Sequence, residues 1–195
     1  MNKILTFIAA LMMLCSMTSC NYNSLVEKQQ GVEQAWAQVE NQYQRRADLI
    51  PNLVNTVKGY AAHESSTLEA VTNARAGLSK AYNEANAVED PAANVQQYLD
   101  AQQKLKGALD IYVNAVREAY PDLKANTNFM NLQTQLEGTE NRIATERRRY
   151  TEAVQSYNTA IKKFPTNIYA GWFGFSEKQQ FKAEAGAEKA PKVEF

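Results

Sequence analysis

The chain has 195 residues with 21 basic and 21 acidic side chains, so its formal net charge at pH 7 is zero. This balance argues against a nucleic-acid partner, which would favour a basic excess. With two cysteines and one histidine, the chain also lacks a zinc-ligand pattern, and we expect neither a metal nor a cofactor. Glycine and proline are scarce, at 8 and 5 residues, which favours long helices over sheets.

The N-terminus has the organisation of a secretory signal. Lys3 precedes a short apolar run, and small residues follow before Cys20. The sequence Met17-Thr18-Ser19-Cys20 resembles a bacterial lipoprotein signal. That resemblance implies cleavage before Cys20 by signal peptidase II, with a diacylglycerol and an N-acyl chain on this cysteine. Two alternatives stay open from the residues alone: a free secreted protein, and an uncleaved membrane helix, which needs about 20 apolar residues.

Beyond the signal, apolar residues recur at steps of three, four and seven, the periodicity of helices that pack along one face. The pattern predicts four helices, over residues 23–62, 66–87, 90–120 and 127–163. The residues expected to face inward are Leu25, Val32, Trp36, Val39, Tyr43, Ile50, Leu53, Val57, Tyr60, Leu68, Val71, Leu78, Tyr82, Val88, Val95, Tyr98, Leu99, Leu105, Leu109, Tyr112, Val116, Tyr120, Phe129, Leu132, Leu136, Ile143, Tyr150, Val154, Tyr157, Ile161 and Phe164.

Local signals support these helix ends. A capping box spans residues 66–69, and an acidic cap precedes a proline at residues 90–91. Asn126 or Thr127 can cap the last helix, and Pro165 stops it.

Pro51 lies inside the first helix, where a proline removes one backbone hydrogen bond and crowds the preceding turn. The sequence therefore predicts a kink there, with the helix continuing beyond it. Because short connections force neighbouring helices to run antiparallel, the fold class expected is all-α, an antiparallel four-helix bundle with two long helices.

The segment from Phe164 to Phe175 is rich in aromatic residues and contains Gly171 and Gly174, which permit tight turns. It is interpreted as a hook that folds back on the bundle, or alternatively as an exposed aromatic patch for a partner or the lipid interface. The domain organisation predicted is a signal peptide at 1–19, a helical domain at 20–176 and a flexible tail at 177–195, where apolar residues are few.

Several runs of residues closely resemble the LemA family. They include Ala35-Trp36, Arg45-Arg46-Ala47-Asp48-Leu49-Ile50-Pro51-Asn52-Leu53-Val54, Lys58-Gly59-Tyr60, Tyr120-Pro121-Asp122-Leu123-Lys124-Ala125-Asn126, Tyr157-Asn158 and Phe164-Pro165. The resemblance extends over residues 22–175. It implies an all-helical antiparallel bundle attached to a bacterial envelope membrane, and it brings no established enzyme activity. Family members commonly carry an N-terminal membrane helix, and here the lipoprotein-like signal stands in its place.

Two arginines fall on the apolar stripes. Arg46 and Arg147 would be costly to bury unless paired, and Asp48, Glu140 and Glu64 are the candidate partners. We predict a structural polar layer of Arg46, Asp48, Glu140 and Arg147 that fixes the register of the helices, as polar residues do in coiled coils. An anion site held by the arginines, or plain solvent exposure, are the alternatives.

These observations and the resemblance together suggest a non-enzymatic, lipid-anchored bundle that binds other envelope components. No acidic run follows Cys20, and we expect the periplasmic side of the outer membrane. A regulatory adaptor of a membrane protease or transporter is an alternative, as is an enzyme that uses Arg46, Asp48 and Glu140. His63 is the single histidine and is interpreted as a cap or surface residue, because catalysis would need a nucleophile or metal at fixed geometry beside it.

Overall fold

The computed structural model describes the backbone of residues 2–61, 69–87 and 95–181, and the side chains of residues 22–60, 72–87 and 95–181. Every regular element in these ranges is helical. The α-helices are α1 (Asn2–Ala61), α2 (Glu69–Asn86), α3 (Val95–Ala119), α4 (Thr127–Lys162) and α5 (Thr166–Tyr169), and two short 3-10 helices span Pro121–Ala125 and Ala170–Phe173. The all-α fold class expected from the sequence is confirmed.

The start of α4 is capped as the sequence predicts. The Asn126 side-chain oxygen accepts hydrogen bonds from the backbone amides of Asn128, at 3.0 Å, and Phe129, at 3.2 Å. These two amides lie in the first turn of the helix, where no carbonyl of the preceding turn is available to them. The side chains of the capping box predicted at residues 66–69 and of the cap predicted at 90–91 lie outside the described residues, as do those of Leu68, Val71 and Val88, which were predicted to face inward.

Pro51 lies within α1, and the helix continues on both sides of it. The continuation agrees with the sequence expectation, whereas the kink itself stays a prediction. At its other end α1 includes the predicted signal segment, whose cleavage also stays a prediction. Among the described residues, none of the helices has the combination of length and hydrophobicity that a membrane span requires.

The chain divides into two compact units. We call residues 36–146 the central unit, and residues 1–35 together with 147–195 the terminal unit. Both α1 and α4 contribute residues to each unit.

In the central unit, ring contacts give the helix directions. Tyr43 of α1 meets Tyr98 of α3 at 5.5 Å between ring centroids, and Tyr60 meets Tyr120, after the end of α3, at 6.0 Å. The two helices therefore run in the same direction. Since Tyr120 also precedes α4, and Arg46 pairs with Glu140 far along α4, α1 and α4 are antiparallel.

All four long helices and the first 3-10 helix contribute to one hydrophobic core in the central unit. It consists of Leu49, Ile50, Leu53, Val57, Leu78, Ala81, Ala85, Ala101, Leu105, Leu109, Tyr112, Val116, Tyr120, Leu123, Phe129 and Leu136. Most large residues of this set were expected to face inward from their helical spacing. The buried alanines of α2 and α3 were not, because a small side chain carries little periodic signal.

In the terminal unit, the first part of α1 packs on the second part of α4, and Leu25, Val32, Tyr150, Val154 and Tyr157 are buried. The prediction that Phe164 faces inward is wrong. Because α4 ends at Lys162, the side chain of Phe164 leaves the helical repeat and is 79% exposed.

Candidate functional site

The centre of the polar layer is Arg46, whose side chain is only 2% exposed. Its Nη1 donates to Glu140 Oε1 at 2.8 Å, and its Nη2 donates to both oxygens of Gln102: the side-chain oxygen at 2.6 Å and the backbone carbonyl at 3.0 Å. The guanidinium also lies over the ring of Tyr43, with its carbon 5.1 Å from the centroid. This arrangement joins α1, α3 and α4 through one buried charge.

Besides its ion pair with Glu140, Arg46 has an uncharged tyrosine in its surroundings. Tyr98 is buried next to the layer, and burial raises its pKa to about 12, with a further rise from the negative charge of Glu40. A hydrogen bond with Gln102 and the positive charge of Arg46 oppose this shift, but they are weaker than the burial. The Tyr98 hydroxyl is therefore neutral at physiological pH and acts as a hydrogen-bonding group rather than an acid.

Of the four residues predicted for the layer, the structure brings Arg46 and Glu140 together and places the other two elsewhere. Asp48 is exposed and accepts a hydrogen bond from Gln44 at 2.7 Å. Residues two apart on a helix point about 200° apart at 3.6 residues per turn, so Asp48 cannot share the face of Arg46. Arg147 belongs to the terminal unit.

Gln102 belongs to the polar layer but was not predicted, although its position in the sequence indicates that it is buried. Gln102 is 5% exposed and falls on the α3 stripe, four residues after Tyr98 and three before Leu105. A polar residue in line with an apolar stripe indicates a buried hydrogen-bonding position.

An open groove of about 610 Å³ lies between α3 and α4 in the central unit. Its lining includes Lys106, Asp110, Arg117, Gln133, Glu137 and Glu140. Several charged groups of the lining have partners: Lys106 donates to Asp110 at 3.0 Å, Arg117 donates to the side-chain oxygen of Gln133 at 3.4 Å, and Glu140 accepts from Arg46, which is not a lining residue. Neither Arg46 nor Asp48 lines the groove, so the three residues of the enzyme alternative do not form one site there.

The aromatic hook contains both buried and exposed side chains. Tyr169 and Phe175 are buried, and Tyr22 contacts the rings of Phe173 and Phe175 at 5.3 and 5.5 Å. Gly174 makes the reversal possible because its φ of +79° lies in the left-handed region. The turn closes with the Phe175 amide donating to the Ala170 carbonyl at 3.0 Å.

Other side chains of the hook point outward. The exposed fractions are 79% for Phe164, 55% for Ile168, 83% for Trp172 and 61% for Phe173. We call these four residues the aromatic patch. One set of residues in the segment thus folds back and the other is exposed to solvent, while a contact of the exposed set with a partner or the lipid interface stays a prediction.

The first residues of the predicted tail pack along α4. Asn158 forms two hydrogen bonds with the backbone of Lys178, at 2.8 and 2.9 Å, and the Tyr150 hydroxyl donates to the Gln179 carbonyl at 3.0 Å. Phe181 lies beside Tyr150, with centroids 4.8 Å apart, and beneath the guanidinium of Arg147 at 5.0 Å. Residues 177–181, assigned to the tail from composition, are therefore a strap, and residues 182–195 lie outside the described part of the chain.

Three residues discussed from the sequence cannot be placed as side chains. The side chain of Cys20 lies outside the described residues, as do His63 and Glu64. Cys20 is nevertheless two positions before Tyr22, which is described and which contacts the hook. Among the described residues, no group of three or more histidine, cysteine or carboxylate side chains could hold a metal ion.

Comparison with known proteins identifies relatives that are longer than this chain. The chain is 27% identical over 200 residues to the magnetosome protein MamQ 2 of Paramagnetospirillum magneticum, covering 95% of this chain and 71% of the relative. It is 26% identical to the magnetosome protein MamQ of Magnetospirillum gryphiswaldense, covering 92% and 68%. The protein LemA of Metamycoplasma hominis is 28% identical over 149 residues, covering 76% of this chain and 63% of that protein.

None of these three descriptions specifies a chemical reaction. The model of the LemA family matches residues 35–195, which include the polar layer, the hook and the strap. The chain therefore belongs to the LemA family.

Proposed function

We propose that the chain is a lipid-anchored helical bundle of the bacterial cell envelope that binds or organises other envelope proteins and catalyses no reaction itself. The observation that carries this proposal is the position of Cys20 in the lipoprotein-like signal. Tyr22, two residues later, already packs on Phe173 and Phe175. Acyl chains on Cys20 would thus join the folded terminal unit without an intervening linker.

The strength of such an anchor follows from the number of acyl chains. One chain binds a membrane only marginally, whereas two or more hold a protein firmly. A mature lipoprotein of the type that the signal resembles carries three. The placement that we propose is the periplasmic side of the outer membrane, since Asn21, Tyr22, Asn23 and Ser24 after Cys20 include no acidic residue.

The hydrogen bonds of the buried Arg46 in the central unit support a non-enzymatic role. The Arg46 guanidinium donates to Glu140 and Gln102, which leaves the pair engaged in joining three helices. This supports a layer that fixes helix register. The relatives named for the magnetosome, rather than for a reaction, support a role in organising other components.

Membrane attachment can be tested by replacing Cys20. We expect the wild-type protein to remain with washed membranes, and Cys20→Ala, exported on a leader that signal peptidase I removes, to be released with its helical circular dichroism intact. Cys15→Ala is the matched control, because Cys15 lies within the segment that would be removed and its loss should leave attachment unchanged. Recovery of the Cys20→Ala protein in the membrane pellet would contradict the proposal.

The partner can be sought with the lipidated protein itself. We expect affinity purification from detergent-solubilised membranes, followed by mass spectrometry, to recover an envelope protein in stoichiometric amount. A membrane protease or transporter in that position would favour the adaptor alternative. Recovery of the chain alone, at every detergent and salt condition that preserves its helical content, would contradict the organising role.

A further inference from the structure

Most of the large apolar side chains that are exposed to solvent among the described residues lie in the terminal unit. Eight large apolar side chains are exposed among the described residues. Two of them, Ile111 and Met130, belong to the central unit, and the other six are Tyr22, Val26, Phe164, Ile168, Trp172 and Phe173 of the terminal unit. Exposed apolar side chains that are concentrated in one short segment, as at residues 164–173, are typical of an interaction site for a protein or a membrane.

The patch lies beside the predicted site of acylation. Phe173, a member of the patch, contacts Tyr22 with 5.3 Å between ring centroids. In a helix, two residues advance the chain by about 3 Å at 1.5 Å per residue, which is the distance along α1 from Tyr22 back to Cys20. Acyl chains at Cys20 would therefore bring the bilayer to the position of these rings.

Trp172 of the patch, together with Tyr22 beside Phe173, is of the residue type found in the interfacial region of a bilayer. Tryptophan and tyrosine are enriched at that level because their rings combine an apolar body with a polar group. Lys163 borders Phe164, and both line a groove of about 550 Å³ together with Leu25 and Lys28. A lysine at this level can keep its ammonium among lipid phosphates while its stem stays among apolar groups.

We infer that the aromatic patch inserts into the lipid headgroup region next to the acyl anchor, so that the terminal unit is held against the bilayer by its surface as well as by its acyl chains. This inference rests on the proposed anchor at Cys20. It adds a second contact that would fix the orientation of the unit, which flexible acyl chains alone would not do.

The fluorescence of Trp172 offers a direct test. The chain has two tryptophans; Trp172 is 83% exposed, whereas Trp36 is 6% exposed in the central unit. We expect the acylated protein in phosphatidylethanolamine–phosphatidylglycerol vesicles to show a blue-shifted emission that brominated lipids quench. In the Trp172→Phe variant the emission comes from the buried Trp36, and it should show neither a shift on addition of vesicles nor quenching by brominated lipids. Emission from Trp172 that stays water-like in membrane-bound protein would overturn the inference.

Removal of the patch gives a second readout that does not depend on acylation. The unacylated protein should bind vesicles reversibly and too weakly to survive the washing of membranes. We expect Ile168→Ala with Trp172→Ala to lower this weak partitioning about tenfold, which corresponds to about 1.4 kcal/mol of lost apolar burial. The matched control is Ile111→Ala with Met130→Ala, which removes exposed apolar side chains of the central unit and should leave partitioning unchanged. Equal losses in the two double variants would contradict insertion by the patch.

The two proposals fail in different ways. A chain without acyl groups on Cys20 contradicts the proposed anchor whatever Trp172 does. An acylated, membrane-bound chain whose Trp172 is accessible to aqueous quenchers contradicts the patch inference and leaves the anchor intact. Photocrosslinking from position 172 to an envelope protein instead of lipid would also overturn the patch inference.

Discussion

The central and terminal units differ in which side chain departs from the usual rule that charged groups are exposed and large apolar groups are buried. The central unit buries a charged side chain, Arg46 at 2% exposed, and the terminal unit leaves an indole, Trp172, at 83% exposed. Burial of a charge is costly unless it is paired and hydrogen-bonded, and the structure supplies those partners within the unit. The costly group of the central unit is thus offset by contacts inside that unit, whereas the exposed indole of the terminal unit is the group for which we propose a contact with lipid.

Replacement of Arg46 in the polar layer should lower the free energy of unfolding more than any other substitution considered. Arg46→Ala leaves Gln102 and Glu140 without their donor, and we expect the free energy of unfolding to fall by about 3 kcal/mol, measured by urea denaturation. Glu140 is 27% exposed, so hydration of its carboxylate keeps the loss at the lower end of the usual range. Asp48→Ala is the matched control, with an expected change within about 0.5 kcal/mol. Similar losses in the two variants would mean that Arg46 has no special structural role.

High pH should also destabilise the central unit. Burial raises the pKa values of Tyr98 and Tyr112 to about 12 from their ordinary value of 10.0. Between pH 10 and pH 12 the unfolded chain releases these protons while the folded chain retains them, so the free energy of unfolding falls as pH rises. The stability is fully present below pH 10. Urea denaturation across this window should give a shallower pH dependence for Tyr98→Phe with Tyr112→Phe than for the wild type, and an unchanged slope would contradict the assignment.

In the terminal unit, the reversal of the hook depends on one backbone conformation. Gly174→Ala places a β-carbon on a residue with φ of +79°, which costs about 1–2 kcal/mol. We expect faster hydrogen exchange at the Phe175 amide, whose bond to Ala170 closes the turn. Gly171→Ala is the control, since Gly171 has open space around a β-carbon and no left-handed φ. Equal exchange rates in the two variants would argue against strain at Gly174.

A smaller effect is expected at the strap. Asn158→Ala removes two hydrogen bonds to the backbone of Lys178, worth about 1 kcal/mol each at most. The Lys178 amide should exchange several-fold faster, as measured by hydrogen exchange and mass spectrometry. Gln155→Ala, at an exposed position of the same helix, should leave that rate unchanged. A strap that exchanges equally in both variants would not be held by Asn158.

The sequence predicts the parts of the fold that depend on periodic apolar burial. Helix positions and most large core residues follow from the spacing of side chains such as Leu53, Val116 and Phe129, each 0% exposed. The cap of α4 was predictable as well, because Asn126 stands directly before a regular stripe. These features are local, and local patterns record them.

Features that depend on contacts between residues far apart in the chain could not be predicted from the sequence to the same extent. The pairing of Arg46 with Gln102 joins residues 56 positions apart, and no local pattern specifies that distance. The strap is recognised through the backbone of Lys178 and Gln179, so its side chains carry little information about where it packs. Phe181 is the exception, as an aromatic residue in an otherwise polar segment that finds Tyr150 and Arg147.

The central claim is that the terminal unit lies against a bilayer through acyl chains on Cys20. Its most direct test is intact-mass and N-terminal peptide mass spectrometry of the mature protein purified from washed membranes. We expect a chain that begins at Cys20 and carries the mass of three acyl chains with the glycerol. A mature chain that begins at another residue, or an unmodified Cys20, would contradict it.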